Sequence, residues 1–220
     1  MNPTRRRLVQ QLIGGGALAA GGVSGLIREA LAMGSQPVAP GIHRLRGSVS
    51  LNGRPARTGE LVLRGDSVST GPDGQAVLVI ERDAFLLREN TQVDFGKDVL
   101  KQTFRLITGK ILSVFAKGEH RILTPAATIG IRGTGAYLEA VEAERTYFCL
   151  CYGETEVETV GGQRASYSTT HHEAPRYLYR DPAMKPQPAT VINHTDEELI
   201  MLEALVGRYP PFYGSGYVYE

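Results

Sequence analysis

The chain has 220 residues, 24 basic and 23 acidic, for a net charge of +1. That length suits one domain of ordinary size with appendages, and so even a balance of charge excludes a polybasic face for nucleic acid. There is no Trp and there are two Cys, while 26 Gly and 12 Pro are scattered along the chain, as many short strands joined by tight turns require.

The first 32 residues have the three parts of an export signal. Thr4-Arg5-Arg6-Arg7-Leu8-Val9 is a basic start, Leu12 to Ile27 is weakly apolar, and Ala30-Leu31-Ala32 is a small-residue cleavage site. Arg5 and Arg6 form the pair that a twin-arginine translocase reads, and Ala30 and Ala32 are the small residues that precede the expected cut. Six glycines between Gly14 and Gly25 lower the hydrophobicity of the middle segment, which favours the twin-arginine route over the general secretory one. The segment is also too short and glycine-rich for a good membrane span. No later run is long and apolar enough to cross a membrane. The expectation is therefore a periplasmic protein that starts near Met33 and has no transmembrane span.

Residues 33–41, with Pro37 and Pro40, read as an extended lead-in to a β domain over 42–180. Ser48 to Leu51 ends at Asn52-Gly53, a hairpin signal because both residues tolerate positive φ. Ala76 to Ile80, Phe85 to Leu87, Phe104 to Ile107 and Ile111 to Phe115 are compact apolar runs, each bounded by turn residues. Ala136 to Val141 and Thr146 to Tyr152 read as longer strands. Turns recur every ~8–12 residues, which predicts an all-β, solenoid-like or rolled domain of many short strands. Residues 181–220 break the pattern as a C-terminal extension. Thr195-Asp196-Glu197-Glu198 fits a capping box and Leu199, Leu202 and Val206 have helical spacing, so one helix is expected over 196–206, followed by an aromatic tail.

Several short motifs then occur in a specific order. They are Gly47-Ser48-Val49 with Asn52-Gly53, Gly65-Asp66-Ser67-Val68-Ser69-Thr70-Gly71, Gly74-Gln75-Ala76-Val77-Leu78, Gly109-Lys110-Ile111, Thr124-Pro125-Ala126-Ala127, Gly130-Ile131-Arg132-Gly133-Thr134 and Gly153-Glu154-Thr155-Glu156-Val157. Their order over Ile42 to Val160 resembles the FecR domain family. The resemblance implies a periplasmic, all-β domain that binds, senses or scaffolds in the cell envelope and does not catalyse. The regulatory members of that family carry a cytoplasmic arm and a transmembrane helix before the β domain. An export signal in that place argues against signalling by their usual route.

Catalytic signatures are missing: there is no G-x-S-x-G, no Walker loop and no H-E-x-x-H. One constellation stands out. Cys149 and Cys151, inside the apolar run Tyr147 to Tyr152, point to one face of a strand with Cα atoms ~6.5–7 Å apart, at or beyond the limit for an unstrained disulfide. His171 and His172 follow after one expected turn. Two thiolates and an imidazole suit Zn or Cu(I). Adjacent histidines on a strand would face opposite ways, so one of the two is expected beside the thiols. Three states stay open for the cysteines: buried structural thiols, a strained or redox-active disulfide, and a metal site. His43, His120 and His194 read as lone structural or surface histidines. Two further functional readings compete with the envelope module: a metal-binding or thiol-redox protein, and a glycan- or peptidoglycan-binding module. The partner is then an envelope protein or a glycan.

Overall fold

The structure is a computed structural model, and it describes residues 36–97 and 102–215. The expected export signal, with Arg5, Arg6, Ala30 and Ala32, lies outside the described residues. Fourteen strands form one open, hydrogen-bonded sheet, and among the described residues a single α-helix follows them, as the turn spacing predicts.

In chain order the strands are β1 (Gly41–Arg46), β2 (Val49–Leu51), β3 (Arg54–Pro55), β4 (Ser67–Thr70), β5 (Gln75–Ile80), β6 (Asp83–Leu87), β7 (Gln92–Phe95), β8 (Thr103–Val114), β9 (His120–Leu123), β10 (Ala127–Glu142), β11 (Arg145–Thr159), β12 (Arg164–Thr169), β13 (Arg176–Tyr179) and β14 (Gln187–Pro188). The main path runs β14-β13-β11-β10-β9-β8-β7-β4-β2-β3, and β5 joins it through β6, which pairs with β8. The pairings are antiparallel except for β8 with β9. Asn52 and Gly53 have φ of 52° and 74° at the β2–β3 turn, the left-handed pair that a tight hairpin needs.

The runs within β5, β6 and the second half of β8 are apolar on both faces because the sheet is buried on both sides there. Along β5, Ala76, Leu78 and Ile80 enter one core while Val77 and Val79 enter another. The first core lies within the rolled sheet and contains Phe85, Phe95, Phe104 and Phe115, with neighbouring ring centroids 5.2–6.2 Å apart. The second lies between the sheet and the helix and contains Leu86, Leu112, Tyr137, Cys149 and Cys151. β10 serves both halves of the roll. It pairs with β9 over Thr128–Ile131 and, after a register shift at Gly135, with β8 from Gly135 to Ala140. A Cβ at Gly135 would lie 2.5 Å from the Tyr152 ring, so only glycine lets these strands pack there.

The helix, α1 (Asp196–Leu205), begins as its capping box predicts and ends at the cap residue Val206. Thr195 Oγ1 accepts the Glu198 amide at 3.3 Å, and Glu198 Oε2 accepts the Thr195 amide at 3.2 Å. Leu199, Met201, Leu202 and Leu205 bury the apolar face against Val77, Leu86, Leu112 and Val114. Thr195→Ala is expected to cost about 1 kcal/mol in chemical denaturation, because it leaves an N-terminal amide of the helix without its acceptor.

Candidate metal centre

β11 places Cys149 and Cys151 two residues apart on the face that α1 covers, and both side chains are fully buried. They are free thiols in this structure. The two histidines that join them come from outside the sheet. His172 lies in the turn after β12 and not on a strand. Its amide donates to Cys151 O at 2.9 Å, and its φ of 51° turns the ring back over the thiols. His194 comes from the approach to α1 and stacks on Tyr137 at 4.6 Å. Cys149 Sγ, Cys151 Sγ and one nitrogen of each of these histidines all lie within 4.8 Å of one another. His172 is 5% exposed and His194 7%.

His171 takes a different place from the one the sequence suggests. Its Nε2 faces the Asp196 carboxylate at 2.9 Å and its ring lies against Phe212. The expectation that one of the adjacent histidines sits beside the thiols matches the structure, although a left-handed turn and not strand alternation is the cause. His194, read from sequence as a lone structural or surface residue, is corrected to a member of the cluster. It stands 22 residues after His172 with no local pattern joining them. The one available signal was its place immediately before the capping box, where a helix docked on the sheet must bring it close. His120 is structural: its Nε2 donates to Ala116 O at 3.0 Å and its Nδ1 lies 3.5 Å from the buried Asp83 carboxylate. His43 contacts Ala39 O at 2.8 Å.

Outer partners set which nitrogen of each ring faces inward. His194 Nδ1 lies 2.7 Å from Ile192 O, a carbonyl that can only accept, so Nδ1 donates and Nε2 is the nitrogen that faces inward. His172 Nε2 lies 3.1 Å from Asp196 Oδ1, which likewise places the proton on Nε2 and leaves Nδ1 facing the thiols. These two inward nitrogens are 3.1 Å apart, and Cys149 Sγ is 3.5 Å from His172 Nδ1. The Cys149 thiol is pushed well below its ordinary pKa, first by the hydrogen bond from Cys151 and then by the two histidines, against burial. Burial pushes the Cys151 thiol up. Burial alone would lower His172, but the Cys149 thiolate and Asp196 outweigh it and raise it.

Two cysteine sulfurs and two inward-facing imidazole nitrogens therefore converge in a dry site. Two inward nitrogens 3.1 Å apart are held either by a shared proton, as in a hydrogen bond, or by a cation. A proton on His172 joins one pair, whereas a metal ion joins all four donors at once. Cys149, His172 and Asp196 also align as nucleophile, base and orienting carboxylate. Cys149 has no exposed surface, however, so no substrate reaches it in this arrangement.

The fold and site define an all-β protein with a buried two-thiol, two-imidazole cluster capable of holding a metal ion. No known family profile matches the chain, and no curated protein matches it. Two crystal structures, at 1.65 and 2.50 Å, of a protein from Parabacteroides distasonis ATCC 8503 that is described provisionally as an anti-sigma factor resemble it in part. Each superposes with a TM-score of 0.48 at 10% identity, covering 56% of this chain and 60% of that one.

Proposed function

We propose that this chain is an exported, FecR-like β-domain protein of the periplasm whose fold is completed by one buried zinc ion on Cys149, Cys151, His172 and His194. In this reading it is a binding or sensing module of the cell envelope, and the metal clamps its C-terminal segment to the sheet. The observation that carries the metal reading is the convergence of four buried donor atoms, Cys149 Sγ, Cys151 Sγ and one nitrogen each of His172 and His194, within 4.8 Å of one another, with the outer ring nitrogens held by Ile192 O and Asp196. Four donors from nitrogen and sulfur make a closed tetrahedral shell for Zn, in which neighbouring ligand atoms lie ~3.3–3.8 Å apart. The present separations, from 3.1 Å between the nitrogens to at most 4.8 Å across the cluster, bracket that range. Cu(I) shares the preference for thiolate and is the competing ion. The Arg5-Arg6 pair and the ordered motifs from Gly47 to Val157 support the export and family parts of the reading. A twin-arginine substrate folds in the reducing cytoplasm, so metal can load before the thiols meet an oxidising compartment.

The test is elemental analysis with thiol counting on native protein purified without chelators from cells supplied with zinc and copper. One zinc per chain and two thiols that react only after chelation are expected. A metal-free preparation, whether its thiols are free or joined as a disulfide, would sink the metal reading. Export is tested separately by exchanging Arg5, Arg6 and Arg7 for Lys, which keeps the charge but loses the guanidinium fork. The precursor should stay in the cytoplasm, and normal processing of this variant would refute the twin-arginine route.

A further inference from the structure

A second site lies on the outer face of β9, β10, β11 and β12, and none of the four candidate metal ligands lines it. It is a groove of about 550 Å³, within the ordinary range for small-ligand sites. Strand pairing sets its side chains in two rows. Arg121, Gly130, Glu156 and Ser166 stand side by side across the four strands, and Arg132, Glu154 and Ser168 form the next row. Apart from half-buried Gly130, these residues are exposed. Arg132 is paired with Glu119 at 3.4 Å, but the two side chains are 70% and 81% exposed, so water screens the pair and a ligand could replace it.

Gly130 is the informative residue. It sits within a strand, where glycine weakens the sheet, and its backbone does not need a positive φ. A Cβ there would meet only the Glu156 carbonyl, at 3.6 Å, which is ordinary contact. Packing within the chain therefore does not demand this glycine, in contrast to Gly135. The strand is held firmly at the same point, since Thr155 Oγ1 donates to Gly130 O at 2.8 Å. The missing side chain leaves a trough in a fixed floor between Arg121 and Glu156, as expected where a ligand approaches the backbone closely.

We propose that this groove binds a neutral oligosaccharide, with Gly130 as the floor on which a sugar ring rests. Arginine only donates hydrogen bonds and ionised glutamate only accepts them. In this groove Arg121 on β9 and Arg132 on β10 face Glu154 and Glu156 on β11, with serine hydroxyls on β12 at one side. A ligand of one strong charge spanning the strands would be repelled by one of these two columns. A polyhydroxylated ligand fits, because each hydroxyl both donates and accepts, so neighbouring hydroxyls serve an Arg and a Glu together. This inference is independent of the metal reading.

The test is an amide-resonance titration of the native protein with chitotetraose, maltotetraose and cellotetraose, and with capped tetra-alanine as counter-probe. At least one sugar should give saturable shifts at Arg121, Gly130 and Glu156. Gly130→Val, which fills the trough with a good strand former, should weaken that binding by at least about tenfold. Its melting temperature should be equal or higher. Absence of shifts with every sugar, unchanged binding in Gly130→Val, or shifts with the peptide alone would each overturn the proposal. A lower melting temperature in Gly130→Val would also overturn it, by showing that the fold itself needs the glycine.

Discussion

Exchanging Cys149 and Cys151 together for Ser is expected to abolish metal binding and to give one of the two largest losses of stability of any change discussed for this protein. A metal that binds the folded chain and not the unfolded one stabilises it by about 4 kcal/mol when its free concentration is about a thousandfold above Kd. For a domain of this size that is a fall of roughly ten degrees in the melting temperature. The variant also places two hydroxyls where the thiols have no exposed surface, which adds about 1–3 kcal/mol for each that finds no partner. The two contributions separate on wild-type protein. A strong chelator should remove the metal share alone, so chelated wild type should melt between the untreated protein and the double variant. The loss should centre on α1 and the His194 segment, while β5, β6 and β8 keep their protection from hydrogen exchange. A wild-type melting temperature that does not move on chelation would remove the metal from the account of this fold.

Arg88→Ala is expected to act at a distance on the same centre. Arg88 Nη2 donates to Asn193 O at 2.6 Å and to both Glu198 oxygens at 2.9 and 2.7 Å, so it ties the end of β6 to the residue before His194 and to the first turn of α1. Asn193 is held from the other side, because its Nδ2 donates to Glu139 Oε1 at 2.7 Å, which also accepts from Tyr137. The Arg88 and Glu198 side chains are 17% and 10% exposed. Removing one partner of a fully buried pair costs about 3–5 kcal/mol, and the residual exposure lowers the expectation to about 2–3 kcal/mol. Because the same contacts position His194, zinc affinity measured by chelator competition should fall as well. A stability loss with unchanged zinc affinity would show that Arg88 supports the helix without orienting the ligand.

The features of this protein that were legible in its sequence are those set by neighbours along the chain. Asn52-Gly53 turns because two adjacent residues tolerate left-handed backbone. Thr195 and Glu198 cap the helix because each reaches the other's amide across three residues. Cys149 and Cys151 share a face because strand side chains alternate. All three are consequences of backbone geometry over two to four residues. The continuous apolar run of β5 was legible as a strand, but not which of its side chains entered which core, since that depends on the helix covering the second face of the sheet.

The site required contacts that no local rule contains. His172 faces the thiols because the turn after β12 bonds its amide to Cys151 O, and strand alternation gave no reason to choose it over His171. His194 and Asp196 arrive only because α1 packs its apolar face on β6 and β8 and Arg88 fixes its start. Docking of that kind is decided by apolar area and one largely buried ion pair summed over distant segments, so it leaves no periodicity around His194 to read. The strands, the cap and the paired thiols have causes that lie within a few residues of chain, and so they are written locally. The rest of the donor set depends on long-range packing, because those side chains meet through the burial of a helix that begins 45 residues after Cys151 in the chain.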